Sequence, residues 1–257
     1  MKIIALCNQK GGCGKSTTSI ALAEGLTGKG YSVLLIDLDP QCNTSLYTGV
    51  IQSANDGTMW DVFKRNKTMT DIIRKGQQNF DVAQSSITLS AADMELTCTG
   101  REYILREALE QAHLDYDYCI IDTPPTLGIL TVNALTAADG VVIPVNADLW
   151  SMQGLEQLLQ LIKSNKKYCN SNLAIYGLLM TDVNGREKVT KDIQEYLEGV
   201  AISMDTKLFA TVIRRSVAIK ECILCNADFF KEAPKAGAVI DYQAFIEELL
   251  GGGTIGN

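Results

Sequence analysis

The chain of 257 residues contains one histidine, His113, and one Cys-x-x-Cys pair, Cys222 and Cys225, among eight cysteines. A zinc site made of two such pairs, or of paired Cys and His, lacks its second half here. The cysteines (7, 13, 42, 98, 119, 169, 222 and 225) are scattered along the chain, several inside apolar runs, so they read as reduced packing side chains rather than a disulfide framework. No run of eighteen apolar residues occurs, and the opening Met1-Lys2-Ile3-Ile4-Ala5-Leu6-Cys7-Asn8 is too short for a signal peptide. A cytoplasmic protein is expected. Positive charge is also scarce: 23 Lys and Arg against 30 Asp and Glu give a net charge of −7, which excludes a protein that coats nucleic acid by overall basicity. Any DNA contact must come from a local patch. No repeat, low-complexity tract or Pro/Ser-rich linker marks a boundary, so one domain is expected over 1–250, followed by a frayed tail, 251–257.

The chain is 46% hydrophobic and 21% charged, enough apolar side chains for a sizeable core. Short β-rich runs alternate with helical patterns from the start: Ile3-Ile4-Ala5-Leu6-Cys7, then Ser16 to Thr27, then Ser32-Val33-Leu34-Leu35-Ile36. That order predicts a βαβ unit. The runs Tyr118-Cys119-Ile120-Ile121, Val141-Val142-Ile143-Pro144, Ile175-Tyr176-Gly177-Leu178-Leu179-Met180 and Phe209-Ala210-Thr211-Val212-Ile213 are continuous rather than alternating, as strands covered on both faces are. An α/β fold follows, with a doubly wound, mainly parallel sheet and helices on both faces. Helical spacing is clear in Gly154 to Lys163 and in Lys191 to Leu197, whereas Gln41 to Gln78 is broken and predicts short helices.

Between the first strand and the first helix stands Gln9-Lys10-Gly11-Gly12-Cys13-Gly14-Lys15-Ser16-Thr17, which carries the Gly-Lys-Ser end of the P-loop pattern in the strand–loop–helix setting it requires. Glycines let successive N–H groups turn around a phosphate, the helix N-terminus adds a positive field, Lys15 reaches the terminal phosphates and the Ser16 hydroxyl ligates Mg²⁺. The loop departs from the general pattern at Gln9, where the first Gly stands, and in its extra Lys10. On residue chemistry alone Lys10 is either a solvated loop lysine or a cation aimed across an interface. Two acidic segments fit the same site: Val33-Leu34-Leu35-Ile36-Asp37-Leu38-Asp39-Pro40-Gln41 and Tyr118-Cys119-Ile120-Ile121-Asp122-Thr123-Pro124-Pro125. In a parallel sheet the strand C-termini share a rim with the phosphate loop, which places Asp122 behind the metal and Asp39 by an attacking water. The alternative for each acid is a cap on the helix that follows.

The segments Lys10-Gly11-Gly12-Cys13-Gly14-Lys15-Ser16, Asp37-Leu38-Asp39-Pro40-Gln41 and Ile120-Ile121-Asp122-Thr123-Pro124-Pro125 closely resemble the deviant Walker A P-loop ATPases, specifically the ParA/Soj-type DNA-partitioning ATPases. The likeness continues through Ile87 to Leu96, Gly128 to Asp139 and Gln153-Gly154-Leu155, so it covers residues 2 to about 250. It implies a P-loop NTPase fold that binds ATP and Mg²⁺, dimerises face to face around two nucleotides and hydrolyses ATP slowly. Gly11, Gly12, Cys13, Gly14, Lys15, Ser16 and Thr17 then hold the phosphates, and Ser16, Asp39 and Asp122 form the metal site. Lys10, Lys15 and Asp39 are catalytic, Lys10 reaching the partner's nucleotide like an arginine finger supplied in trans. Asp182 and Arg186 lie in a segment similar to the family's Tyr-Asp-x-Arg stretch, and Ile213-Arg214-Arg215-Ser216-Val217 resembles its adenine-side Ile-Pro-Arg-Asn-Val. Three positions depart from the family: Arg214 replaces proline, Ser216 asparagine, and Ala218 the arginine used for DNA contact.

The partners implied are a second copy in the ATP state, a ParB-like centromere-binding protein and nonspecific DNA, which would bring the ATP-bound protein to the nucleoid. Lys163, Lys166 and Lys167, with Arg214, Arg215 and Lys220, are the candidate DNA patch. Because the phosphate loop begins at residue 9, the N-terminal helix-turn-helix of longer plasmid partition ATPases is not expected. A MinD-like ATPase positioned on a membrane is the alternative, but it needs a basic amphipathic C-terminal helix. Asp241 to Leu250 instead pairs an apolar face (Tyr242, Phe245, Ile246, Leu249, Leu250) with a polar face holding Asp241, Glu247 and Glu248, so a core-packed helix and no stable membrane association are expected. An iron–sulfur reductase like the nitrogenase iron protein needs one cysteine from each of two particular loops, and Thr123-Pro124-Pro125 stands near the second acid instead.

Overall fold

The computed structural model describes residues 1–50, 56–147, 151–184 and 188–251, with backbone alone for 151–153 and 188–191. It opens with the expected βαβ unit: β1 (Lys2–Leu6), α1 (Lys15–Gly28) and β2 (Val33–Asp37). Short elements follow: α2 (Asn43–Tyr47), α3 (Met59–Phe63), α4 (Met69–Ile72), β3 (Ile73–Lys75), β4 (Asp81–Ala83), α5 (Ala92–Glu95) and α6 (Ile104–Ala112). The second half alternates regularly: β5 (Tyr118–Asp122), α7 (Ile129–Ala137), β6 (Gly140–Asn146), α8 (Ser151–Tyr168), β7 (Ala174–Val183), α9 (Lys188–Ser203) and β8 (Leu208–Arg214). Helices α10 (Val217–Leu224), α11 (Phe229–Glu232) and α12 (Gly237–Gly251) close the described chain. The eight strands lie in one sheet of order β3-β4-β2-β5-β1-β6-β7-β8. Every pairing is parallel except β3 with β4.

The doubly wound sheet predicted from the continuous apolar runs is therefore present, and burial explains those runs. All five residues of β2 and of β5 are buried, because helices cover both faces. Side chains alternate between two cores: Ala5, Leu34, Ile36, Cys119 and Ile121 join α6, α7 and α8 on one face, while Ile4, Leu6, Leu35 and Ile120 join α1 and α12 on the other. Short helices do fill 41–78, but the β3–β4 hairpin was not foreseen. Three-residue strands carrying Arg74, Lys75 and Asp81 are too short and too polar to show a period of two.

Helix α12 packs as expected through Tyr242, Phe245, Ile246 and Leu249, all buried. It lies close to α1, since a Cβ on Gly25 would stand 2.2 Å from Ile246 Cδ1. Two of its acids are not solvated. Glu248 accepts hydrogen bonds from Ala210 N (2.8 Å) and Thr211 N (3.0 Å), and Asp241 from Arg214 N (3.0 Å), all on β8 at the end of the sheet. The remaining acid of the polar face, Glu247, pairs with Lys29. Among the described residues, no helix is long and apolar enough to cross a membrane.

Candidate active site

Leu6 at the end of β1 is in register with Asp122 of β5, which is in turn level with Asp37 of β2. This puts the loop after β1 and both strand-end acids on one rim, as parallel topology requires. Asn8 anchors the loop by donating from Nδ2 to Pro144 O (2.6 Å) and accepting at Oδ1 from Lys10 N (2.9 Å). Gly12 and Gly14 take left-handed conformations with φ of 74° and 84°, which a side chain would strain. Helix α1 then starts with Gly14 as its N-cap, with no side-chain cap and no acid in its first turn. Its first-turn N–H groups and positive dipole end are thus left facing the loop. Lys15 is 6% exposed and folds back so that Nζ donates to Lys10 O (3.1 Å), 3.9 Å from Cys13 Sγ. Burial pushes the Cys13 thiol up, which keeps it neutral beside that ammonium.

The three acids have different surroundings. Asp37 is fully buried and spent on structure: Oδ1 accepts from Asp39 N (2.9 Å), and Oδ2 from Ser45 N and Ser45 Oγ (2.7 Å each). The capping alternative applies to it, since it fixes the turn into α2. Asp122 is also fully buried, but only Oδ2 is engaged, by Thr44 Oγ1 (2.5 Å), while Oδ1 has no hydrogen-bond partner in the protein. Burial raises both carboxyls, the mutual repulsion of Asp37 and Asp122 adds to the rise at Asp37, and the Thr44 and Ser16 hydroxyls and Lys15 oppose it at Asp122. Asp39, 7% exposed, is held by its main chain, Ser85 Oγ donating to Asp39 O (2.6 Å), while its Oδ1 accepts from Gln41 N (3.0 Å).

Among the described residues, no group of three or more His, Cys, Asp or Glu is arranged to hold a metal ion. A magnesium site of the P-loop kind does not need one, because its ligands are a hydroxyl, phosphate oxygens and water, with carboxylates behind the water. Ser16 at the foot of α1 and the buried, unpartnered Oδ1 of Asp122 fit that donor set.

Beyond the loop, a cleft of about 190 Å³ brings together Gly12, Gly14, Thr17, Asp182, Ile213, Arg214, Arg215, Ser216 and Lys220, all singled out in the sequence. Asp182 has φ of 55° and takes a two-pronged ion pair from Arg215 (2.9 and 2.8 Å). Arg214 leans the other way, onto Asp241 of α12 (2.8 and 2.7 Å) and Gly237 O (2.9 Å). The residue that stands in place of proline therefore ties β8 to α12, and its main-chain N–H to Asp241 is one that proline lacks. Arg186 lies outside the described residues. Lys10 is half-buried on the loop, its carbonyl under Lys15. Sequence reasoning missed Thr44, Asn146 and Thr181. The last two lie at the ends of β6 and β7 and are polar residues near the ends of apolar runs on the same rim, a signal that was legible.

Residues 1–175 match the family described as AAA domain. The chain is 40% identical over 226 residues to the sporulation initiation inhibitor protein Soj of Bacillus subtilis (strain 168), covering 86% of this chain and 87% of that protein. It is 37% identical over 229 residues to the chromosome partitioning protein ParA of Caulobacter vibrioides, covering 86% and 83%. Among solved structures, cobyrinic acid a,c-diamide synthase from Mycobacterium smegmatis with bound ADP and magnesium superposes with a TM-score of 0.83 at 29% identity, covering 97% of this chain and 94% of that one. An uncapped helix behind a glycine loop, two rim carboxylates and these relatives all agree: the chain belongs to the ParA/Soj-type P-loop ATPases.

Proposed function

We propose that the protein is a partitioning ATPase of one domain, residues 1–250, that binds Mg-ATP at this loop. The observation that carries the reading is the buried, unpartnered Oδ1 of Asp122 beside Ser16, at the foot of an uncapped helix. Mg²⁺, when bound, neutralises phosphate charge and orients the terminal phosphate. Ser16 would hold the ion through its hydroxyl, with the unpartnered Oδ1 of Asp122 as a further acceptor behind it. Lys15 exchanges Lys10 O for the β- and γ-phosphates, with the Gly11 to Thr17 main chain around them. Asp39 orients the attacking water, and Lys10 reaches the nucleotide of a second copy. Asp182, Ile213, Arg214 and Arg215 line the nucleoside end, with Arg186 assigned there by resemblance.

Turnover is slow until a ParB-like centromere-binding partner stimulates it, and the ATP-state dimer binds DNA without sequence preference in the cytoplasm, on the nucleoid. The names of the relatives, Soj and ParA, support the partitioning role. Calorimetry with Mg-ATP tests the core of this reading. Wild type binds and Lys15→Ala loses binding by at least ~100-fold, since a charge-assisted contact to phosphate and the loop's own lock go together; unchanged affinity in the variant removes the assignment.

A further inference from the structure

Two carbonyls of the phosphate loop are gripped from outside it. Thr181 Oγ1 lies 2.8 Å from Cys13 O and 2.9 Å from Asn146 Oδ1, and Asn146 Nδ2 donates to Gly12 O (3.2 Å). Thr181 is 3% exposed and stands against Gly14, where a Cβ would be 3.6 Å from its side chain. Thr181 has one proton for two acceptors, and with its hydroxyl turned to Cys13 O both loop carbonyls are held, Gly12 O by the Asn146 amide. In a trans peptide the C=O and the N–H that follows it point in opposite directions. Holding Gly12 O toward β6 therefore turns Cys13 N–H away from β6, and holding Cys13 O toward β7 turns Gly14 N–H away from β7. Both amides sit between left-handed glycines, the part of the loop with the most backbone freedom to lose.

We propose that Asn146 and Thr181 are positioning residues for phosphate binding, which fix the Cys13 and Gly14 amides toward the side of the loop where Lys15 Nζ is held. The inference rests on the nucleotide reading of the loop and adds to it two residues outside the motif. They belong to strands that carry no part of the P-loop pattern. Through them the ends of β6 and β7 set the loop's shape before any ligand arrives, so the ordering of two peptide planes is not left to the moment of binding.

The test compares Mg-ATP with magnesium tripolyphosphate, which has no base or ribose, by calorimetry on wild type, Thr181→Val, Thr181→Ser, Asn146→Ala and Lys15→Ala, with urea unfolding as the check on folding. Valine keeps the shape and removes the donor, so Thr181→Val weakens both ligands about tenfold, the worth of roughly one hydrogen bond. Thr181→Ser stays within about twofold, and the effects of Thr181→Val and Asn146→Ala add to less than their sum because the two side chains share a contact. Wild-type affinity in Thr181→Val overturns the proposal. So does a serine variant as weak as the valine one, or a loss confined to ATP, which would make Thr181 a nucleoside contact. Failure of wild type to bind either ligand, or full binding by Lys15→Ala, overturns the nucleotide reading instead. If Thr181→Val unfolds, Asn146→Ala carries the same comparison from a half-buried site.

Discussion

Glu24 lies in the middle of α1 with 3% of its surface exposed, and its oxygen Oε1 shares a neighbourhood with Tyr47 Oη and Ala227 O. Tyr47 has one proton for two acceptors, Glu24 Oε1 and Ala227 O (2.7 Å), while Glu24 Oε2 already accepts from Phe229 N (3.0 Å). A proton on Glu24 resolves the shortage, since Glu24 then donates to Tyr47 and Tyr47 to Ala227 O. Burial pushes this carboxyl up to about 8, the Tyr47 hydroxyl and Phe229 N–H pull it down, and Asp228 and Lys231 act with opposite signs; Cys222 also faces the group. The ordinary value is 4.5, so between 4.5 and about 8 the folded state holds a proton that the unfolded chain has released. Stability therefore falls as pH rises through that window, by up to ~1.4 kcal/mol per unit, and Asp37 and Asp122, also raised, add the same sign. In Glu24→Gln the amide supplies the missing donor at every pH. Urea unfolding at intervals between pH 5 and 8 will show a shallower decline than wild type, and parallel lines would contradict the assignment. Nothing in the sequence marks Glu24, because a helix pressed between a sheet and other helices gives up the polar face by which burial is usually read.

Among the elements, α2 and α12 depend most on side chains that local sequence does not explain. Five residues long, α2 is pinned by Thr44 to Asp122, by Ser45 to Asp37 and by Tyr47 to Glu24, so the turn carrying Asp39 is held from both ends. The strands were legible because continuous burial leaves a continuous apolar run. The β3–β4 hairpin was not, nor were the partners of the α12 acids, because a strand 27 to 38 residues away in sequence leaves no local trace. The apolar face of α12 was legible from its spacing. Phe245 there is fully buried and meets Phe209 of β8 edge-on at 4.9 Å between ring centres. Phe245→Ala costs ~3–5 kcal/mol. A shift in urea midpoint worth less than about 1 kcal/mol would mean that α12 is a passive appendage.

For the whole molecule, exposed apolar side chains stand in segments that leave the sheet on the side of the phosphate loop. Leu46 (69% exposed) follows β2, and Ile87 (66%) and Met94 (78%) follow β4, two parallel strands with their C-terminal ends on that side. The face-to-face dimer proposed above would bring Lys10 to the other copy's nucleotide. Asp39→Ala with ATP will accumulate as a dimer in light scattering and bind random duplex DNA with an affinity that falls steeply with salt, while Lys10→Ala stays monomeric. Hydrolysis at the wild-type rate in Asp39→Ala, or dimers in Lys10→Ala, would contradict these roles. The phosphate loop and the strand-end acids are each a contiguous segment, and so stand out in the sequence. What holds them is marked only faintly: Asn146 and Thr181 show as polar residues near the ends of apolar runs, and Thr44 reaches Asp122 from α2 with no local signal.

The two ends of that sheet are closed in different ways. At one end β3 is three residues long and runs antiparallel, and at the other the outward N–H groups of Ala210, Thr211 and Arg214 are already taken by Glu248 and Asp241. A strand from another chain finds few donors to pair with, and carboxylates stand where it would lie. Growth of the sheet from molecule to molecule, the route to fibres, is blocked at the β8 end and meets only a three-residue edge at β3, which leaves little main chain for ordered assembly.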